Sequence, residues 1–113
     1  MADEVLNERG MTELHLAAYH GELDWVQNCL GGGLDIHARD REGYTPLHWV
    51  VDMGMVDGDR EEIVAELLQA GADINAKTFS GNSVLAIARN TGNQNIVRQL
   101  IKAGARDEIK VKE

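Results

Sequence analysis

A nine-residue phrase, Gly10-Met11-Thr12-Glu13-Leu14-His15-Leu16-Ala17-Ala18, returns as Gly43-Tyr44-Thr45-Pro46-Leu47-His48-Trp49-Val50-Val51 and, more weakly, as Gly81-Asn82-Ser83-Val84-Leu85-Ala86-Ile87-Ala88-Arg89. The first return comes after 33 residues and the second after 38. A period of this size restricts the chain to repeat architectures, because so short a unit cannot bury its own apolar face and must stack on a neighbour. A second landmark locates the extra residues. Gly21 to Gly33 and Gly92 to Gly104 are each 12 apart, whereas Gly54 to Gly71 is 17, so a five-residue insertion lies near residues 55–59.

Each unit carries its own helix signals. Thr12, Thr45 and Ser83 are hydroxyl residues directly before an apolar-periodic stretch, where a side-chain oxygen caps free N–H groups. Pro46 follows Thr45 at the first helical position, where a missing N–H costs nothing. Gly21, Gly54 and Gly92 lie nine residues past these caps and suit the left-handed turn that ends a helix. A second helix then follows in each unit, with apolar stripes Leu23, Trp25, Val26, Cys29 and Leu30, then Ile63, Val64, Leu67 and Leu68, then Ile96, Val97, Leu100 and Ile101. Gly33, Gly71 and Gly104 stop these helices. The polar segments Asp35 to Gly43 and Asp73 to Gly81 read as projecting turns.

At these residues the chain resembles the ankyrin repeat family. The likeness is carried by Thr45-Pro46-Leu47-His48, by Thr12-Glu13-Leu14-His15-Leu16-Ala17-Ala18, by Gly71-Ala72-Asp73-Ile74-Asn75-Ala76 and by the 33-residue step, and it covers roughly residues 7–107. It implies an all-α, ankyrin-repeat solenoid of about three helix–turn–helix units, with β-turn fingers projecting at one edge and a concave face used for protein binding. Residues 1–113 would form a single domain, with units at about 7–39, 40–77 and 78–107 and a polar tail at 108–113. The chain departs from the family pattern at the insertion, at Trp49-Val50-Val51 in place of Leu-Ala-Ala, and at Ala86, Arg89 and Ala105-Arg106-Asp107 in the third unit. Arg89, Arg98, Gln99 and Lys102 suit a terminal unit that turns a polar face to water.

Composition narrows the function classes. Eleven basic against nineteen acidic residues give a formal charge of −8, which repels phosphate backbones and argues against nucleic acid. Apolar residues make up 43 %, enough for a packed interior, and with five aromatics that interior is aliphatic. Cys29 is the lone cysteine and permits no internal disulfide. The longest uncharged apolar run, Tyr44 to Val51, is too short to span a bilayer, and Met1-Ala2-Asp3-Glu4 is acidic where a signal peptide is basic. The expectation is a cytoplasmic, monomeric protein with no membrane partner.

No catalytic constellation emerges. His15 and His48 occupy one repeat position, and the resemblance implies that they bond loop backbone rather than substrate. Cys29 sits on an apolar stripe and reads as a small buried hydrophobe. Ser80 and Ser83 are the only serines, one in a turn and one a cap, so no nucleophile–base pair is on offer. Residues 52–62 hold five acids against Arg60, yet Asp57-Gly58-Asp59 lacks the ligand spacing of a calcium loop. No cofactor, metal or catalytic residue is expected.

What remains are residues the scaffold does not need. Arg39, Arg41, Glu42, Tyr44, Lys77, Phe79 and Asn82 lie on or beside the fingers, and Tyr19, His20, Asp52, Met53 and Asn90 end the first helices. Together they are expected to line one face, with three of the five aromatics spent on surface. Aromatics and arginine dominate interface hot spots, so the reading is a non-enzymatic adaptor or inhibitor with another protein as partner. The alternatives are a metal-dependent binder or enzyme built on residues 52–62, and a structural homo-oligomer. A chain truncated after Gly71 is expected to lose its cooperative melt by circular dichroism, because too few unit interfaces remain; a melt near that of the full chain would contradict the stacked architecture.

Overall fold

The computed structural model describes residues 5–52 and 59–106. Six helices follow one another: α1 Glu13–His20, α2 Leu23–Gly31, α3 Pro46–Asp52, α4 Arg60–Gln69, α5 Val84–Thr91 and α6 Gln94–Lys102. Odd-numbered helices pack on each other in the order α1, α3, α5, even-numbered ones in the order α2, α4, α6, and each odd helix packs on the even helix that follows it. No strand forms among the described residues; a single antiparallel bridge joins Lys77 and Ser83.

The core is continuous along the stack. Leu14, Leu47 and Leu85, equivalent positions of the three phrases, are all buried in one cluster with Val26, Cys29, Ile63, Val64, Leu67, Ile96, Val97 and Leu100. Burial pushes the Cys29 thiol up to about 11, with the negative charge of Glu13 adding to it, so the thiolate form is suppressed at neutral pH.

The caps work as the spacing predicts, with one refinement. Thr12 Oγ1 accepts from His15 N and Ser83 Oγ from Ala86 N, and Gly21 and Gly92 end α1 and α5 with positive φ. The second helices end two residues before the expected glycine. Their caps are Gly32, Ala70 and Ala103, and the next residues, Gly33, Gly71 and Gly104, take the positive φ. At Gly71 the N–H bonds Leu68 O at 3.1 Å while Ala72 N–H bonds Leu67 O at 3.0 Å, the paired bonds that satisfy the last carbonyls of α4.

His15 and His48 tie consecutive units together. In each, Nδ1 accepts from the backbone N–H and hydroxyl of the capping threonine, Thr12 or Thr45, at 2.8 to 3.0 Å. Because Nδ1 is an acceptor, the proton sits on Nε2, which donates to Tyr44 O at 2.9 Å from His15 and to Ala76 O at 3.1 Å from His48. Each imidazole thus joins its own helix start to the finger of the next unit. Ala86 stands at the equivalent position of the third unit, where no further finger follows among the described residues.

Both rings are fully buried, and burial lowers their pKa, that of His48 to about 4. The unfolded chain takes up protons near the ordinary value of 6.5 while the fold holds the ring neutral, so stability is full above 6.5 and falls as pH drops toward 4. Urea unfolding is expected to show a loss of about 2 kcal/mol at pH 5 relative to pH 7 from His48 alone. A flat profile over that interval would show that His48 is protonated without cost inside the fold.

Candidate functional site

The fingers are held by a bond pattern that repeats with the period. Asn7, Asp40 and Thr78 occupy equivalent positions, and their side-chain oxygens accept from the backbone two or four residues on. Asn7 Oδ1 takes Arg9 N and Met11 N, Asp40 Oδ1 takes Glu42 N and Tyr44 N, and Thr78 Oγ1 takes Asn82 N, all at 2.9 to 3.2 Å. Neighbouring fingers are also bonded to each other. Arg41 N donates to Arg9 O at 2.8 Å and Phe79 N to Glu42 O at 3.1 Å, and Arg39 Nη1 donates to Gly43 O and Lys77 O, at 2.9 and 2.6 Å.

Gly43 is where two fingers approach most closely. Its φ is +83°, and a Cβ there would stand 2.5 Å from Phe79 N and 2.7 Å from Phe79 Cδ1. Phe79 therefore leaves its ring beside Gly43, yet it is 70 % exposed. Arg41 and Glu42 are exposed at the tip of the preceding finger.

Below the fingers, the odd-numbered helices form a floor dominated by Trp49. Tyr19 meets Trp49 edge-on at 5.4 Å, Tyr44 lies tilted against it at 4.7 Å, and the Arg9 guanidinium sits over its ring at 5.9 Å. The indole Nε1 donates to Asp40 Oδ2 at 2.9 Å, which ties α3 to its finger. The Tyr44 hydroxyl donates to Asp52 Oδ2 at 3.1 Å; burial, then the Asp52 charge, push the phenol up to about 12.

This arrangement corrects one expectation. Tyr19 and Tyr44 are not spent on surface, for both are half-buried and pack on Trp49, and of the three aromatics only Phe79 is freely exposed. The expected residues divide among the fingers and the depressions beneath them. Tyr44, Asp52, Asn82 and Asn90 line one shallow depression with Ala86 and Ile87. Tyr19 lines an adjacent one with Asn7, Arg9, Met11, Leu16 and Trp49. Arg39, Arg41, Glu42, Lys77 and Phe79 belong to the fingers. His20 meets Tyr19 edge-on at 4.9 Å and stacks at 5.9 Å on Trp25, whose indole donates to Glu13. Met53 lies outside the described residues, as do Gly54, residues 55–58 of the insertion and the tail at 108–113.

Sequence reasoning missed Arg9, Asp40, Trp49 and Arg60. Asp40 had a signal, an oxygen-bearing side chain at the same repeat position as Asn7 and Thr78. Arg60 had none, because it follows an insertion that breaks the register. It is buried, and its guanidinium donates to Ala18 O and Tyr19 O, at 3.2 and 3.1 Å, and to Val50 O at 3.5 Å, holding the last carbonyls of α1 and α3. Among the described residues, no group of three or more His, Cys, Asp or Glu is placed to hold a metal ion, and no helix is long and apolar enough to cross a membrane.

Comparison with known proteins agrees with this geometry. The family model described as Ankyrin repeats (3 copies) matches residues 2–78. The chain is 36 % identical over 108 residues to the B-cell lymphoma 3 protein homolog of Mus musculus, covering 95 % of this chain and 23 % of that protein. It is 35 % identical over 91 residues to NF-kappa-B inhibitor alpha of Gallus gallus, with 77 % and 27 % covered. It is 41 % identical over 81 residues to Palmitoyltransferase AKR1 of Saccharomyces cerevisiae, with 72 % and 10 % covered. The chain thus spans about a quarter or less of these relatives.

Gly43→Ala is expected to destabilise the fold by more than about 2 kcal/mol in urea unfolding, since left-handed strain and the clash with Phe79 add. Gly33→Ala, with φ +82° but no atom within 4 Å, should cost only the strain, about 1 kcal/mol. Equal costs would mean that the finger contact at Gly43 is soft.

Proposed function

Because the chain belongs to the ankyrin repeat family, whose repeats generally mediate protein–protein interaction, we propose that it is a non-enzymatic adaptor or inhibitor that grips its protein partner with the fingers and the face beneath them. The observation that carries this reading is the contrast at Phe79. A large apolar ring is left 70 % exposed on a finger whose backbone is bonded to its neighbour, so the side chain is presented on a rigid support. Rigid aromatic anchors beside arginine are the features that concentrate binding energy, because little side-chain or loop freedom is lost on association.

Support for an inhibitory mode comes from the relative named NF-kappa-B inhibitor alpha. The transferase named among the relatives is covered by this chain over 10 % of its length, so its named activity has no counterpart in this reading. The charge pattern also favours a protein partner. Arg39, Arg41 and Lys77 stand on the fingers, interleaved with Asp40 and Glu42, so the fingers offer both signs of charge to a complementary partner.

Affinity capture from the native cell tests the proposal. An Arg41→Ala, Phe79→Ala double variant is expected to bind the captured partner more weakly by about 2 kcal/mol or more while melting normally, because neither side chain is in the core. A Gln27→Ala variant on the exposed face of α2 should bind as the parent does. Unchanged affinity of the finger variant would rule out this face.

A further inference from the structure

The two depressions under the fingers are repeat equivalents, and their charges differ in sign. Met11, Leu16 and Tyr19 of the first correspond, one repeat further on, to Tyr44, Trp49 and Asp52. These in turn correspond to Asn82, Ile87 and Asn90. The first depression is rimmed by the Arg9 cation over Trp49. The second has a volume of about 380 Å³, and Asp52 is the only ionised group among its described lining residues.

We infer that this second depression, bounded by Tyr44, Asp52, Asn82 and Asn90, seats an arginine side chain of the protein partner. The inference rests on the protein-binding reading above and names the chemistry that the face selects. Asp52 is half-buried, and the one hydrogen bond it receives among the described residues comes from the Tyr44 hydroxyl, which leaves Oδ1 able to accept. The side-chain amides of Asn82 and Asn90, exposed and with no partner among the described residues, line the same depression as Asp52 and can turn their oxygens to a donor. Ile87 and Ala86 supply an apolar floor for a methylene stem. A planar guanidinium matches such a set, with donors for a carboxylate and for flanking carbonyl oxygens.

Acidic groups dominate the field at the Tyr44 hydroxyl. The groups that raise its phenol beyond the effect of burial are Asp52, Glu42 and Asp40, all acids. The sequence of residues 53–58, which follows Asp52 directly, has one acid, Asp57, and no Lys or Arg. An incoming arginine would thus supply a counter-charge to the half-buried Asp52 through a charge-assisted bond.

The test uses N-acetyl-arginine amide as probe and the neutral isostere N-acetyl-citrulline amide as control, titrated into the isotope-labelled full chain. The arginine probe is expected to shift the side-chain amide signals of Asn82 and Asn90 and the backbone signal of Ile87, saturating in the millimolar range. Citrulline should bind at least about fivefold more weakly. Asp52→Asn keeps an oxygen for the Tyr44 hydroxyl, so the fold should persist by circular dichroism while the preference for arginine disappears. Equal response to both probes, or an arginine response unaltered by Asp52→Asn, would overturn the assignment. The captured partner separates the two readings. If Asp52→Asn binds it as the parent does while the Arg41, Phe79 variant loses it, the arginine seat fails and the protein-binding reading stands.

Discussion

The whole structure depends on the fact that no helix pair here can enclose its own apolar side. Val26 and Cys29 of α2, Ile63, Val64 and Leu67 of α4, and Ile96, Val97 and Leu100 of α6 are buried only because adjacent pairs lie against them. Hydrophobic burial is roughly proportional to area and carries no direction, so by itself it would tolerate sliding between pairs. Direction comes from the polar bonds that cross each junction. His15 and His48 each spend both ring nitrogens, one on the local helix start and one on the carbonyl of the next finger. A slip along the stack would leave a buried imidazole N–H unpaired, which costs more than the bond contributes.

Arg60 does a related job in a different way. The connection from α1 to α2 is two residues and that from α5 to α6 is two, whereas seven residues separate Asp52 from Arg60. Lengthening a connection by that ratio costs only about 1 kcal/mol in closure entropy. The guanidinium that begins α4 then reaches carbonyls on both α1 and α3, so the helix after the long connection is fixed in place by bonds to two units. The insertion is thereby compatible with an otherwise regular stack.

Helix starts, helix stops and the shared core were legible in the amino-acid order because each is decided locally. A hydroxyl before an apolar stretch, a proline at its first position and a glycine beyond its end act through backbone geometry within a few residues. The burial of Tyr19 and Tyr44 was not legible, because it depends on Trp49, a residue of α3, meeting rings from α1 and from its own finger. Arg60 was hidden for the same reason: two of its three partners lie about forty residues away. Asp40 was half legible, since Asn7 and Thr78 mark its position, while its bond to the Trp49 indole could be seen only in three dimensions.

The backbone bonding between fingers has an evolutionary consequence. Arg41 N to Arg9 O and Phe79 N to Glu42 O use main-chain atoms alone, so they survive almost any exchange of the side chains that project there. Stability and selectivity are therefore encoded by different atoms of the same residues. A lineage can rewrite what residues 41, 42 and 79 say to the outside while the scaffold beneath them stays silent, and new specificities become reachable by single substitutions that risk little of the fold.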